Sequence, residues 1–336
     1  MCFTSFFTPL RDKSIASRLS LPDTNYLLDY VRPDYLLLRV VARSLILWHE
    51  VEPTTEWVDD QVPSVLKSSY DNLQKTAVGL SSIPNDKNVD QFMEEDKIEG
   101  DLNMMIAFSD DTQVDRQAVR QSYAFIIAGG CFSLGLRYAG TGNKTASSTI
   151  MKYVRDFYRL RKENDPISAV LRPEKQILEI CCACSALSLA MVMAGTGDME
   201  TFQLLRELRW LCDEEIRYGI FMTYAAAIGL LFLGGGSCTL GNEPSDIASL
   251  VLAFFPCFPT STCDNQYHLQ ALRHVYALSV RQRSIETIDI DSNQPVFLPV
   301  EVSIIPRLLD HYFPPPPFFF AYIDFTQRFL NLVELH

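Results

Sequence analysis

Two nearly identical stretches, AGTGNK at 139–144 and AGTGDM at 194–199, and a glycine run, GGGS at 234–237, are where residue types first look capable of chemistry. Backbone N–H groups bared by closely spaced glycines can cradle phosphate. The spacing opposes that role. A phosphate loop ending at Lys144 and Thr145 needs glycines at 138 and 143, where Tyr138 and Asn143 stand. A dinucleotide fingerprint begun at Gly234 and Gly236 needs a third glycine where Thr239 stands. The glycines fit better as left-handed positions closing helices: Gly140, Gly142, Gly195, Gly197, Gly234, Gly235 and Gly236, with Asn143 and Asp198 placed to cap the next helix.

Thiols and imidazoles come next. CCAC at 181–184 lies within an apolar helical stretch, where thiols read as small buried hydrophobes. Cys257, Cys263 and His268 lack a CxxC pair and a fourth ligand, so no metal site is expected. His268 and His274 are six residues apart, about 240° around a helix, and share no face. No serine or cysteine nucleophile motif accompanies the five histidines, and the carboxylates of EEDKIEGD at 94–101 sit in an aperiodic segment unfit to hold an acid–base pair in fixed geometry. No catalytic residue, cofactor or metal is expected.

The elements that position these turns are helical. Three apolar stretches, 121–138, 177–193 and 218–233, each run into a glycine turn, and the turns start 55 and 40 residues apart. That is an internal repeat. The segment after each turn is amphipathic: Ile150, Tyr153, Val154, Phe157 and Tyr158 oppose Lys152, Arg155, Asp156 and Arg159; Phe202, Leu205 and Leu208 oppose Gln203, Arg206 and Arg209; Ile247, Leu250, Val251, Phe254 and Phe255 form the third stripe. The middles of the first helices are crowded with small residues, among them Gly129, Gly130 and Gly135, then Ser185 and Ser188, then Ala225, Ala226 and Gly229. A helix apolar all round must be covered on both sides, and the inner layer of a curved α-solenoid supplies that cover.

Elsewhere, 21–48 reads as a helix opened by Pro33, with Tyr35, Leu38, Val41, Leu45 and Trp48 as its buried face. The segment 264–280 reads as a further helix, and 286–302 as a β-hairpin. The expected organisation is a helical segment over 1–85, an acidic, disordered insertion over 86–116, repeats over 117–285, the hairpin over 286–302 and a Pro/Phe-rich tail over 303–336. The fold class is all-α with a short β appendage.

A chain of 336 residues, 48% hydrophobic, buries a sizeable core, and its formal net charge of −12 opposes nucleic-acid binding. Nine cysteines without regular spacing, behind no secretory signal, fit a reducing compartment. The uncharged 218–236 is long enough to cross a membrane, so a polytopic membrane protein stays open as an alternative. Arg137 and Glu179 in the sister stretches weigh against it.

SLGLRYAGTGN at 133–143, LSLAMVMAGTGD at 187–198 and GLLFLGGG at 229–236 resemble proteasome/cyclosome repeats. LPDTNYLLDYVRP at 21–33, WVDDQVP at 57–63 and DNQYHLQALRHVYAL at 264–278 narrow the resemblance to the large scaffold subunits of the anaphase-promoting complex, a cullin–RING-type ubiquitin ligase. The resemblance covers about residues 20–302 and implies a closed or strongly curved solenoid in a hetero-oligomer. It implies a non-catalytic scaffold acting in the metaphase-to-anaphase transition, in nucleus and cytoplasm, with the other subunits, the cullin/RING module and the coactivator as partners. Neither nucleic acid nor membrane is among them. Members of that family are far longer, so the chain reads as a fragment, a truncated gene product or a shortened paralogue. A scaffold of the proteasome regulatory particle is the related alternative. Polar and aromatic groups at Asp264, Asn265, Tyr267 and His268 are a candidate contact surface, with local helix capping as the other reading.

Overall fold

Pro33, its fixed φ suited to a first helical turn, and Asp34, ion-paired with Arg32 at 2.8 Å, open a helix that runs to Ile46. In the computed structural model the described residues are 13–24, 31–81, 116–162, 166–210, 218–259, 261, 263–264 and 272–283. Among them lie α1 (Lys13–Arg18), α2 (Pro33–Ile46), α3 (Thr55–Asp59), α4 (Ser64–Ser81), α5 (Arg116–Arg137) and α6 (Lys144–Lys162). Further along the chain come α7 (Pro166–Leu171), α8 (Lys175–Val192), α9 (Met199–Trp210), α10 (Tyr218–Leu231) and α11 (Pro244–Phe254). Short 3-10 turns stand at Trp48–Glu50, Leu233–Gly236 and Arg273–Ser279. One antiparallel sheet pairs β1 (Cys238–Leu240) with β2 (Val280–Gln282), Thr239 opposite Arg281. The protein is all-α with this small sheet.

The chain forms two compact units. One is built on Pro9–Ser133 and Lys152–Ser185. In it, helix backbones approach closely wherever α5 carries glycine: a Cβ on Gly129 would stand 3.1 Å from the Val40 side chain and the Leu37 carbonyl, and one on Gly130 would stand 3.0 Å from Val58. Tyr123 of α5 stacks on Tyr70 of α4 with ring centroids 3.8 Å apart, and burial pushes its hydroxyl up to about 12, so it stays neutral. The Tyr153 hydroxyl donates to Asp59 at 2.8 Å. Arg161 and Glu179 form a 3.4 Å ion pair with side chains 11% and 4% exposed.

The other unit is built on Leu134–Met151 and the described residues from Ala186 onward. A Cβ on Gly135 would meet Ser188 at 2.8 Å and Met191 at 2.9 Å, so α5 continues to use glycine for close approach. Gly229 of α10 differs: among the described residues, no heavy atom outside its own helix backbone and chain neighbours lies within 4 Å of its Cβ position. Gly229→Ala is therefore expected to raise stability by about 0.5–1 kcal/mol, since it removes the helix penalty of glycine without a clash. A urea titration reads that gain.

Two sequence expectations need correction. Of the helix read over 21–48, residues 25–30 lie outside the described residues; the described helix runs Pro33–Ile46, and its buried face is Leu36, Leu37, Val40, Val41 and Ser44, whereas Tyr35 is 50% and Leu38 42% exposed. In YLLLRVV apolar side chains occupy successive phases of the helix, so spacing alone did not fix which arc faces inward. The helix read over 264–280 is, in its described part, a 3-10 turn, and Val280 starts β2. There Ser279 is buried, its hydroxyl donating to Tyr276 O and its carbonyl accepting from Gly241 N, which turns the chain into the sheet. Of the insertion read over 86–116 only Arg116 is described, as the first residue of α5; the rest of it, the hairpin at 286–302 and the tail at 303–336 lie outside the described residues.

Lys175–Val192 and Tyr218–Gly236 are each long and apolar enough to cross a membrane; 78% of the first and 39% of the second are buried within the protein.

Candidate functional site

The candidate site is the set of glycine turns, all within the second unit. At the first, Gly140 (φ 67°) and Gly142 (φ 62°) are left-handed, a region that strains any L side chain. This aims their N–H groups at the end of α8: Gly140 donates to Met191 O at 2.8 Å and Gly142 to Val192 O at 2.9 Å. The second turn repeats the arrangement one helix on. Gly195 (φ 71°) donates to Leu230 O at 2.9 Å and Gly197 (φ 62°) to Leu231 O at 3.0 Å, at the end of α10. Each turn thus satisfies two carbonyls that the next repeat's first helix leaves without an intrahelical donor. The four bonds each contribute roughly 0.5–1.5 kcal/mol net. The N–H groups a phosphate would need are engaged by protein.

Within the turns the match extends to side chains. Thr141 and Thr196 each donate to the carbonyl three residues back, Tyr138 O and Met193 O, both at 2.8 Å. Each threonine oxygen also accepts from the N–H two residues on, at 3.3 Å. Asn143 Oδ1 accepts from Ala146 N and Asp198 Oδ2 from Thr201 N, both at 2.9 Å, capping α6 and α9.

The third turn departs from this pattern. Gly234, Gly235 and Gly236 have φ of 59°, 62° and 92°, and Gly235 takes the threonine's place. From it the chain enters β1, which runs back over the first two turns. The Thr239 hydroxyl donates to Gly140 O at 2.7 Å, with Ala194 O at 3.4 Å, and Arg283, just past β2, donates to Ala194 O at 3.2 Å. A Cβ on Gly140 would collide with Leu240 O, and one on Gly195 with Cys238 O. Only glycine lets the strap lie this close. Sequence reasoning treated Thr239 merely as the residue that spoils a fingerprint and passed over Thr141 and Thr196; their recurrence in AGTG was the available signal.

The strap is pinned at Asp246 in the first turn of α11, its side chain 1% exposed. Arg281 of β2 donates to it at 2.6 Å, and Asp246 and Glu243 form a reciprocal capping box. Burial raises the Asp246 carboxyl above its ordinary value, and Arg281 opposes the rise. A raised carboxyl contributes most below its ordinary pKa, and that contribution is lost as pH climbs through the raised value. Arg281→Met removes the offset. Because that arginine is half exposed, the expected cost is about 1–2 kcal/mol at neutral pH, shrinking at an acidic pH where Asp246 is protonated. Urea midpoints at the two pH values check this.

Cys181, Cys182 and Cys184 are buried; burial raises the Cys181 thiol well above its usual value and pushes Cys131 up to about 12, so both stay protonated. Among the described residues no group of three or more His, Cys, Asp or Glu side chains is placed to hold a metal. Asp264 is half-buried and its N–H donates to Ser261 O at 3.3 Å. Asn265, Tyr267 and His268 lie outside the described residues.

Helix pairs whose first two turns share one bonding pattern, each fastened by its backbone to the end of the next repeat's first helix, define a helical-repeat protein. A family profile described as the APC1 fifth domain matches residues 4–281. The chain is 38% identical over 303 residues to anaphase-promoting complex subunit 1 of Mus musculus, a match covering 90% of this chain and 14% of the mouse protein. The Arabidopsis thaliana subunit is 36% identical, with 90% of this chain and 17% of that protein covered. A protein of Emericella nidulans named negative regulator of mitosis is 35% identical, with 88% and 12% covered. The chain belongs to the anaphase-promoting complex subunit 1 family. It spans 14% of the length of the mouse and human relatives.

Proposed function

We propose that the chain is a non-catalytic scaffold element of the anaphase-promoting complex, a ubiquitin ligase acting in the metaphase-to-anaphase transition. In this reading the repeats continue as a curved solenoid that holds other subunits, the cullin/RING module and the coactivator among them, in nucleus and cytoplasm. Family membership supports the complex. The observation that carries the scaffold role is the bonding of the turns: Gly140, Gly142, Gly195 and Gly197 join successive helix ends through backbone, a rigid connection that leaves side chains elsewhere to meet partners. Asp264, Asn265, Tyr267 and His268 remain the proposed contact residues; local capping is the competing role for Asp264.

An epitope-tagged copy of the chain, expressed in cells and purified under native conditions, is expected to bring down a cullin-containing assembly. Recovery of the folded chain without any cullin would remove the scaffold reading. If Asp264, Asn265, Tyr267 and His268 are all replaced and the pull-down is unchanged, they are not the contact surface.

A further inference from the structure

Among the described residues, α10 is covered on one side only. Its inner face, with Ile220, Tyr224, Ala227 and Leu231, is buried, while Phe221 on the outer side is 39% exposed. The expectation that an all-apolar helix is covered on both sides thus fails for this helix among the described residues. The outer face is concave. Ala225, Ala226 and Gly229 form the floor of a groove of about 340 Å³, walled by Phe221, Leu233 and Tyr276.

We propose that this groove docks an apolar α-helix of another polypeptide, one that lays small and aliphatic side chains over Gly229 and carries carboxylates along its flanks. Such docking continues the way this protein packs its own helices. In α5, Gly129 and Gly130 face side chains of α2 and α3, and Gly135 faces α8, at separations only a missing Cβ permits; Gly229 presents the same device with no described residue of another element against it. Charge selects the partner. Among the described residues Arg273 and His274 line the groove and no carboxylate does. In a chain of net charge −12 this is a local basic rim, complementary to an acidic flank. A concave floor of small residues between aromatic walls fits a helix better than a lipid surface, which needs a convex apolar face.

The inference rests on the scaffold reading for its choice of a partner polypeptide, and its test is independent of pull-down. The purified full chain is titrated into a fluorescein-labelled 20-residue peptide with an alanine/leucine face and glutamate flanks, alongside the same peptide with lysine flanks, and anisotropy is followed. Saturable binding of the glutamate peptide is expected, at least tenfold tighter than the lysine peptide and weakened at least tenfold by Gly229→Leu and by Arg273→Glu. Thermal melting by circular dichroism should show Gly229→Leu folded, since the new side chain enters open space. Absent binding, equal binding of both peptides, or binding indifferent to Gly229→Leu overturns the proposal. So does a wild-type dimer in sedimentation that Gly229→Leu dissociates, which would make the occupant a second copy. Flotation of the chain with phosphatidylcholine/phosphatidylserine vesicles overturns it too, by assigning the face to lipid. Failure to recover a cullin assembly counts against the scaffold reading and leaves the titration untouched.

Discussion

Replacing Gly140 or Gly195 with alanine is expected to destabilise the second unit by about 2–5 kcal/mol each. Two effects add. A left-handed backbone costs an L residue roughly 1–2 kcal/mol, and forcing a methyl into a packed site costs about 1–3 kcal/mol more. The second effect arises here because the added carbon would collide with the carbonyl of Leu240 or Cys238, backbone atoms of the strap that cannot swing aside as a side chain would. Gly142→Ala separates the two. Gly142 is equally left-handed, but its nearest obstacle is Thr196 Cγ2 at 3.5 Å, an ordinary contact, so about 1–2 kcal/mol is expected. Urea midpoints should therefore fall in the order wild type, Gly142→Ala, then Gly140→Ala and Gly195→Ala. Equal effects at all three positions would mean the strap does not press on the turns.

In the first unit the largest loss is expected from Arg161→Met. Glu179 is 4% exposed, and Arg161 lies 3.4 Å from it. Removing one partner leaves a buried carboxylate without this counter-ion, which costs about 3–5 kcal/mol. The double change Arg161→Met with Glu179→Leu should recover most of this, because two apolar side chains demand no solvation. Chemical denaturation of the two single variants and the double variant gives the coupling energy. A double variant as unstable as Arg161→Met would show that packing, and not charge, sets the cost.

Much of this architecture was legible in the residues. The 3.6-residue periodicity of α6 and α9 placed Tyr153, Val154, Phe157, Leu205 and Leu208 inside and Lys152, Arg155 and Arg159 outside, as found, while Tyr158 and Phe202, read on the same faces, are half-buried. Asn143 and Asp198 cap as their position after the glycines suggested. Less legible was α2, where the leucine run carries no phase of its own and tertiary packing against Gly129 decides which side turns inward. Hidden altogether was the strap. Cys238–Leu240 is three residues long, too short for alternation to register, and its partner Val280–Gln282 is some forty residues away. The fit that makes the turns a site, Thr239 on Gly140 O, pairs residues 99 apart, which local pattern cannot announce.

If the AGTG turns are internal joints, their N–H groups fastened to the ends of neighbouring helices, residue-resolved hydrogen exchange measures it directly. The amides of Gly140, Gly142, Gly195 and Gly197 are expected to exchange at least about a thousandfold more slowly than free-chain rates, in step with the cores of α8 and α10. Exchange of these four amides at the rate of exposed loop residues, while the helix cores stay protected, would contradict it.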